Sequence, residues 1–280
     1  SCSSPDGPNG PRALRNKIVF VSDRLGVEQI FVMNADGTSQ EQLTDIPGAK
    51  VWPAISPDGR LIAFSTGSIE PGGVSTLYVM NSDGSNLRAL TSAPGLNYRP
   101  TWSPDGSQIA FGSSRNGDEE IYTMSADGSG QVNRTNAPDA FDFDPAWRPG
   151  GNSILFASDR DDPGHSYTIF SMTPSGDSVV PLVQGLQPEW SPSGTKFLYK
   201  TETETWISLT PDASSTMFLL VDAPRHYTPS WSPDESRLAF SLRDTTLHEQ
   251  IWTMSATGGD ERQLTTSDQG NNSFPAWSRH

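Results

Sequence analysis

Apolar residues alternate with other residues in short runs that recur along the chain: KIVFVS from Lys17, LIAFS from Leu61, QIAFGS from Gln108, SILFAS from Ser153, KFLYK from Lys196 and RLAFS from Arg237. The alternation places Ile18/Phe20, Ile62/Phe64, Ile109/Phe111, Ile154/Phe156, Phe197/Tyr199 and Leu238/Phe240 in one column, the period-two pattern of a half-buried strand. A second column follows in IFVM at Ile30, LYVM at Leu77, IYTM at Ile121, IFSM at Ile169 and IWTM at Ile251, with TWIS at Thr205 departing from it. Five of the six methionines lie there. One Met per repeat at a fixed strand position predicts packing between repeats rather than an adaptable binding stripe.

Ahead of each first-column run stands a common phrase. It reads PAISPDGRLIAF from Pro53, PTWSPDGSQIAF from Pro100, PAWRPGGNSILF from Pro145, PEWSPSGTKFLY from Pro188, PSWSPDESRLAF from Pro229 and PAWS from Pro275, at spacings of 47, 45, 43, 41 and 46 residues. A period in the forties suits one four-stranded blade of a propeller. Within Ser-Pro-Asp-Gly, proline presets φ for a tight turn, and Asp and Gly tolerate the conformations that complete it, so two strands join in a hairpin. The first repeat, residues 17–44, lacks the PxWS strand, and PAWS at the other end has no strand after it. The two ends therefore complete one blade, which removes exposed sheet edges. The expected architecture is all-β: a six-bladed β-propeller over residues 17–280, its closing blade shared between the two ends, preceded by a flexible tether over residues 1–16.

These phrases, the xIYxM strand with its Asp-Gly turn, and the LRALT and ERQLT ends at Leu87 and Glu261 resemble the TolB-like propeller family over residues 17–278. The resemblance implies a propeller without the N-terminal α/β domain found in TolB. It also implies a protein of the bacterial envelope that binds partners, and it adds some weight to calcium in the channel. Fold family alone does not specify function, because propellers also serve as gating domains of hydrolases.

Composition narrows the classes. A formal net charge of −14 without a basic run argues against nucleic acid as a partner. No apolar run reaches the length of a membrane span. Cys2 is the only cysteine, which excludes a disulfide framework. Followed by a polar stretch from Ser3 to Pro11, it resembles the mature start of a bacterial lipoprotein, so Cys2 is the expected lipid attachment site of a periplasmic or otherwise extracytoplasmic, membrane-tethered, monomeric propeller.

Catalytic constellations are missing. No G-x-S-x-G elbow occurs, and His165, His226, His248 and His280 form no zinc-type pair. The expectation is a non-enzymatic protein without a cofactor, an accessory subunit that docks on a membrane-associated complex. The alternative is a small-ligand or sugar-binding protein, or a hydrolase, that uses the channel mouth. Asp142 and Asp144, with Asp139 nearby, are the candidates for a hard cation such as calcium. The Ser-Asp-Arg triplets at Ser22 and Ser158 are expected to fix loops. Partner recognition is expected at the channel mouth, where the residues just before each phrase proline crowd together: Trp52, Tyr98, Arg99, Phe143, Asp144, Gln187, His226, Tyr227 and Phe274.

Overall fold

A computed structural model describes residues 11–67, 73–162, 166–201, 204–221, 226–266, 268 and 270–279, the side chains of 217–221 and 226–228 aside. They form six antiparallel four-stranded sheets and no α-helix among the described residues. Blade 1 comprises β4 (Lys50–Ile55), β5 (Leu61–Gly67), β6 (Ser75–Asn81) and β7 (Arg88–Ala89). Blade 2 comprises β8 (Asn97–Trp102), β9 (Gln108–Ser113), β10 (Glu120–Ser125) and β11 (Val132–Asn133). Blade 3 has β12 (Asp142–Trp147), β13 (Ile154–Ser158), β14 (Thr168–Met172) and β15 (Val180–Gln184). Blade 4 has β16 (Leu186–Trp190), β17 (Phe197–Lys200), β18 (Glu204–Ser208) and β19 (Thr216–Val221). Blade 5 has β20 (His226–Trp231), β21 (Arg237–Arg243), β22 (Glu249–Ser255) and β23 (Arg262–Gln263). The sixth blade takes β24 (Asn272–Trp277) from one end of the chain and β1 (Lys17–Ser22), β2 (Gln29–Asn34) and β3 (Glu41–Gln42) from the other, in the order β24-β1-β2-β3. The phrase strands β4, β8, β12, β16, β20 and β24 neighbour one another in a circle and surround the axis.

The second strand of each blade is buried on both faces, a departure from the half-buried reading of its alternation. β1 is buried at every position after Lys17, and β13 and β17 throughout. One face carries the large column and the other carries small or branched residues, and each packs against a different neighbouring blade. Ile154, Phe156, Phe170, Met172 and Trp147 of blade 3 meet Ala110 and Ile121 of blade 2, while Ala146, Leu155 and Ile169 on the opposite face meet Trp190, Phe197 and Tyr199 of blade 4. Met33, Met80, Met124, Met172 and Met254 all lie in such shared cores. Blade 4 has Ser208 at this place, opposite the larger Phe197, and its core is rich in rings: Tyr199 stacks on Trp206 at 6.5 Å and Trp190 meets Phe197 edge-on at 5.3 Å.

The phrase turns are held by their own side chains. Ser103 Oγ donates to Asp105 at 2.6 Å, Asp105 accepts the Ser107 N–H at 3.0 Å, and Ser103 Oγ accepts the Gln108 N–H at 2.9 Å. Ser56–Asp58 and Ser232–Asp234 repeat the arrangement. The hydrogen bonds from Ser103 and Ser107 hold the Asp105 carboxyl down at about 2. Gly106 has φ +70°, and the equivalent position in blade 5 is Glu235 at +58°. A left-handed Glu is tolerated there because its carboxylate accepts the Ser193 N–H at 2.6 Å and pairs with Lys196.

The Ser-Asp-Arg triplets do fix loops. Arg24 Nε donates to Ser22 Oγ, its other nitrogens reach Gln40 and Asn272, and its guanidinium lies 4.5 Å from the Phe31 ring. Arg160 repeats this with Ser158, Asp142 and Phe170, and so does Arg115 with Ser113, Asn97, Gln131 and Tyr122, outside any triplet.

Part of the expected tether is seated on the propeller. The Leu14 N–H donates to the Gly59 carbonyl at 2.8 Å, Ser82 Oγ donates to the Arg12 carbonyl at 2.7 Å, and the Leu14 side chain joins the core between the sixth blade and blade 1. Asn16 accepts the Trp277 indole N–H at 3.0 Å. Closure of the ring rests on the β24–β1 ladder, in which Ile18 pairs with Trp277, and on the core that Trp277 forms with Ile18, Phe20, Met33 and Ile251. Trp277→Ala should therefore cost about 3–5 kcal/mol of stability, and removal of residues 275–280 should abolish the single cooperative transition. Chemical denaturation followed by circular dichroism measures both, and a truncated chain that melts like the intact one refutes this account of closure.

Candidate functional site: the axial ring

Each phrase strand is interrupted by a bulge at its proline, seen as a register shift between Val51 and Ala54, Tyr98 and Thr101, Phe143 and Ala146, Leu186 and Glu189, and Tyr227 and Ser230. The residue before the proline is left-handed: Trp52 at φ +52°, Arg99 at +49°, Asp144 at +56°, Gln187 at +55° and Phe274 at +51°. Bulges of this kind normally place Gly in the left-handed position, and a following proline restricts the backbone further. None of the five is Gly. Holding large side chains there costs on the order of 1–2 kcal/mol each, and strain of this sort concentrates where a side chain has a task.

The kink turns these five side chains toward the axis, where each touches the next around the ring. Phe274 meets Trp52 edge-on at 5.7 Å, the Arg99 guanidinium lies 5.1 Å from the Trp52 ring, Arg99 Nη1 pairs with Asp144 at 2.9 Å, and the Gln187 backbone N–H donates to Asp144. They cap a cavity of about 160 Å³ on the axis, lined by Pro53, Pro100, Pro145, Pro188, Pro229 and Pro275. Trp52 Nε1 and Gln187 Oε1 are buried with no hydrogen-bond partner.

Tyr98 and Phe143, expected in the ring, stand one residue earlier and back it from outside. Tyr98 packs on Trp52 at 5.6 Å and donates its hydroxyl to Glu119 at 2.6 Å, and Phe143 meets Tyr167 edge-on at 4.8 Å. His226 and Tyr227 occupy the corresponding part of β20, but their side chains lie outside the described residues, as do Cys2, His165 and His280. Asp142 and Asp144 do not act together. Residues two apart in a regular strand share a face, but the left-handed turn at Asp144 sends its carboxylate to Arg99 at the axis, while Asp142 faces Arg160 at 2.8 Å. Among the described residues no cluster of three or more His, Cys, Asp or Glu could hold a metal. Calcium requires six or more oxygen ligands, and a carboxylate engaged by a guanidinium does not fit that demand.

Two buried ionisable residues beside the ring escape a reading based on the phrase alone. Lys200, buried at the end of β17, has its ammonium pushed down to about 8 by burial and then by Arg99, with Asp144 opposing. It stands where the sibling strands carry Val21, Ser65, Gly112, Ala157 and Ser241, so a large residue in a small column was the available signal. Gly112 is small for a reason: a Cβ there would lie 2.8 Å from Cζ of Tyr98. The second residue is Glu119. Burial raises its carboxyl, opposed by the Tyr98 hydroxyl, and burial followed by Glu119 raises Tyr98 in turn. Asp144 is also raised by burial, against the pull of Arg99.

Toward the other end of the cavity stands Glu189, whose carboxyl burial raises to about 7 while Arg279 opposes.

A circular array of six four-stranded sheets around a ring of kinked strands defines a β-propeller with an axial cavity. The chain belongs to the TolB beta propeller domain family, whose model matches residues 38–205 and 89–280. It is 44% identical over 50 residues to a TolB homolog of Chlorobium chlorochromatii, a match that covers 18% of this chain and 11% of that relative. Its fold is similar to that of TolB from Acinetobacter baumannii, with a TM-score of 0.79, 23% identity, and coverage of 97% of this chain and 68% of that one. It is also similar to part of Kuenenia stuttgartiensis hydrazine synthase, with a TM-score of 0.74, 15% identity, and coverage of 95% of this chain and 47% of that one. Likeness at these structural identities concerns the fold.

The sign of the Glu189 shift makes a prediction. A carboxyl raised from 4.5 to about 7 in the folded state contributes stability below pH 4.5 that is lost as pH rises through 7. Glu189→Gln should therefore raise the melting temperature at pH about 8 and leave it unchanged at pH about 4. Equal effects at both pH values, read by scanning calorimetry, would show that Glu189 ionises freely.

Proposed function

We propose that the protein is a non-catalytic docking propeller of the bacterial cell envelope, and that it engages a protein partner with the face onto which the axial ring opens. The observation that carries this reading is the placement of exposed apolar side chains. Strand β1 ends beside the start of β24, with Ser22 opposite Asn272, so the β1–β2 hairpin and its counterparts lie at the ring end of the axis. Leu25 (65% exposed), Val27, Val74, Phe141 (46%), Tyr167 and Leu247 (77%) all sit in loops of this face. The opposite face is built from Asp- and Ser-rich turns whose carboxylates are engaged in holding the turns themselves. An apolar fringe around a rigid scaffold is the usual mark of a protein-binding surface.

Membership of the TolB propeller family supports an extracytoplasmic site of action and a partner in the envelope. The reading extends to membership of a membrane-associated complex as a monomeric accessory subunit, with a lipid on Cys2 as the tether. A protein's lipid chains hold it at a membrane without a spanning helix. Among the described residues no helix is long and apolar enough to cross a membrane.

The docking face is tested by capture from envelope membranes of the source organism with the intact chain, with a Leu25→Asp/Phe141→Ser/Leu247→Asp triple variant, and with a Val132→Asp/Val180→Asp control on the outer strands. The triple variant should lose a captured protein that the control retains. Retention by the triple variant, with its melting curve unchanged, places recognition elsewhere. The tether is tested separately, by mass spectrometry of the mature protein. A diacylglyceryl adduct on the Cys2 peptide is expected, and an unmodified Cys2 peptide refutes it.

A further inference from the structure

We propose that the pocket at the ring mouth between blades 2 and 3 receives a basic side chain of the protein partner, a lysine ammonium or an arginine guanidinium. The proposal rests on the docking reading and gives its partner a chemistry. The pocket has a volume of about 230 Å³, and its lining includes Leu96, Tyr98, Arg99, Glu119, Phe143 and Asp144. Within it Glu119 is the carboxylate without a contact ion pair. It is half-buried and accepts the Tyr98 hydroxyl at Oε2, 2.6 Å away, while Oε1 has no partner among the described residues and is open to solvent. Arg99 acts on it only from further off, because its guanidinium is held by Asp144 at 2.9 Å and lies 5.1 Å from the Trp52 ring. Lys200 also bears on Asp144. Burial raises the Glu119 carboxyl, and Asp144 adds to the rise against the Tyr98 hydroxyl and Arg99. A cation brought to that carboxylate would offset the cost of its burial and would form a charge-assisted hydrogen bond at the open oxygen.

The rest of the pocket suits the stem of such a side chain as well as its head. Leu96, Tyr98 and Phe143 offer apolar surface to methylenes, and a cation beside aromatic rings gains from their quadrupoles. Around the pocket, the ring-face loops 114–119, 134–141 and 159–167 carry six acids, Asp118, Glu119, Asp139, Asp159, Asp161 and Asp162, against three arginines. Those arginines are engaged elsewhere: Arg160 with Asp142, Arg115 with Asn97 and Gln131, and Arg134 with Thr123. A surplus of this sign on the docking face attracts basic surfaces and disfavours acidic ones. Phe141, two residues from Phe143, and Tyr167, edge-on to Phe143 at 4.8 Å, are exposed beside the pocket. A protein that covers those rings while it delivers the cation satisfies both features, which a free small cation does not.

The test uses the full chain with Nα-acetyl-lysine methylamide, Nα-acetyl-arginine methylamide and, as the neutral control, Nα-acetyl-glutamine methylamide. Binding is followed by calorimetry and by the side-chain carboxyl carbon resonance of Glu119, which is assigned through its loss in Glu119→Gln. A cationic probe should bind saturably and shift that resonance, and the glutamine probe should do neither. Glu119→Gln keeps an acceptor for the Tyr98 hydroxyl and removes the charge, so with an unchanged melting curve it should weaken binding about tenfold. The same variant should lose the protein that the unaltered chain captures from envelope membranes. The proposal is overturned if neither cationic probe gives a saturable response in the unaltered protein, if the glutamine probe binds equally well, or if folded Glu119→Gln retains the captured protein in full. The probes need no partner, so their failure leaves the docking face to its own capture experiment. Conversely, a protein retained by the Leu25→Asp/Phe141→Ser/Leu247→Asp variant and lost by Glu119→Gln refutes the apolar fringe and upholds the pocket.

Discussion

The second strand of every blade is apolar on both faces, and that single constraint dictates the architecture. A sheet with one wet face can stop anywhere. A sheet whose middle strands bury Ile18 and Phe20 on one side and Val19 and Val21 on the other needs a neighbour on each side, and so does the neighbour. Only a closed circle satisfies all of them. Closure of the circle is noncovalent. It depends on β24 pairing with β1 and on Trp277 entering the core there. Residues 12–16 lie along the next seam and join the same structure.

Most of this was legible in the sequence because the repeated phrase encodes local structure that agrees with the global fold. Ser-Pro-Asp-Gly specifies a turn, the alternation specifies a strand, and a period in the forties specifies a blade. The methionine column was legible for the same reason. Two-face burial was harder to read, since small residues such as Ala63 and Ala110, between the members of the first column, look like a tolerant exposed face when they are in fact buried. Of the site, the ring positions could be named because they precede a fixed proline. Which member of each pair points to the axis could not. Alternation predicts one answer for Tyr98 and Arg99, and the bulge inverts it through a φ of +49° that no residue type at that position announces.

The two faces of the disc divide the labour of the sequence. On the phrase-turn face, aspartates spend their acceptors on neighbouring backbone and hydroxyl groups, as Asp36 does with Thr38, Asp83 with Ser85 and Asp127 with Ser129, and these bonds hold the three carboxyls below their ordinary value. A large share of the chain's acidity is thus committed to turn geometry. On the ring face the loops differ from blade to blade in length and composition, and six of the nine large apolar residues exposed among the described residues lie there. A rigid, repetitive face and a variable one are what a scaffold needs in order to present a specific surface without altering its core.

At the axis the agreement between local preference and fold breaks down, and it does so repeatedly within one small volume. Five non-glycine residues hold a left-handed backbone before proline, two buried polar atoms lack partners, and burial raises the carboxyls of Glu189, Glu119 and Asp144 above their ordinary values. Gly in the bulges would remove the strain, but at Phe274 it would also remove a ring that packs against the core shared by the sixth blade and blade 1. These costs fall on the part of the molecule that every blade reaches with its innermost strand, where a side chain held in a costly position is held firmly.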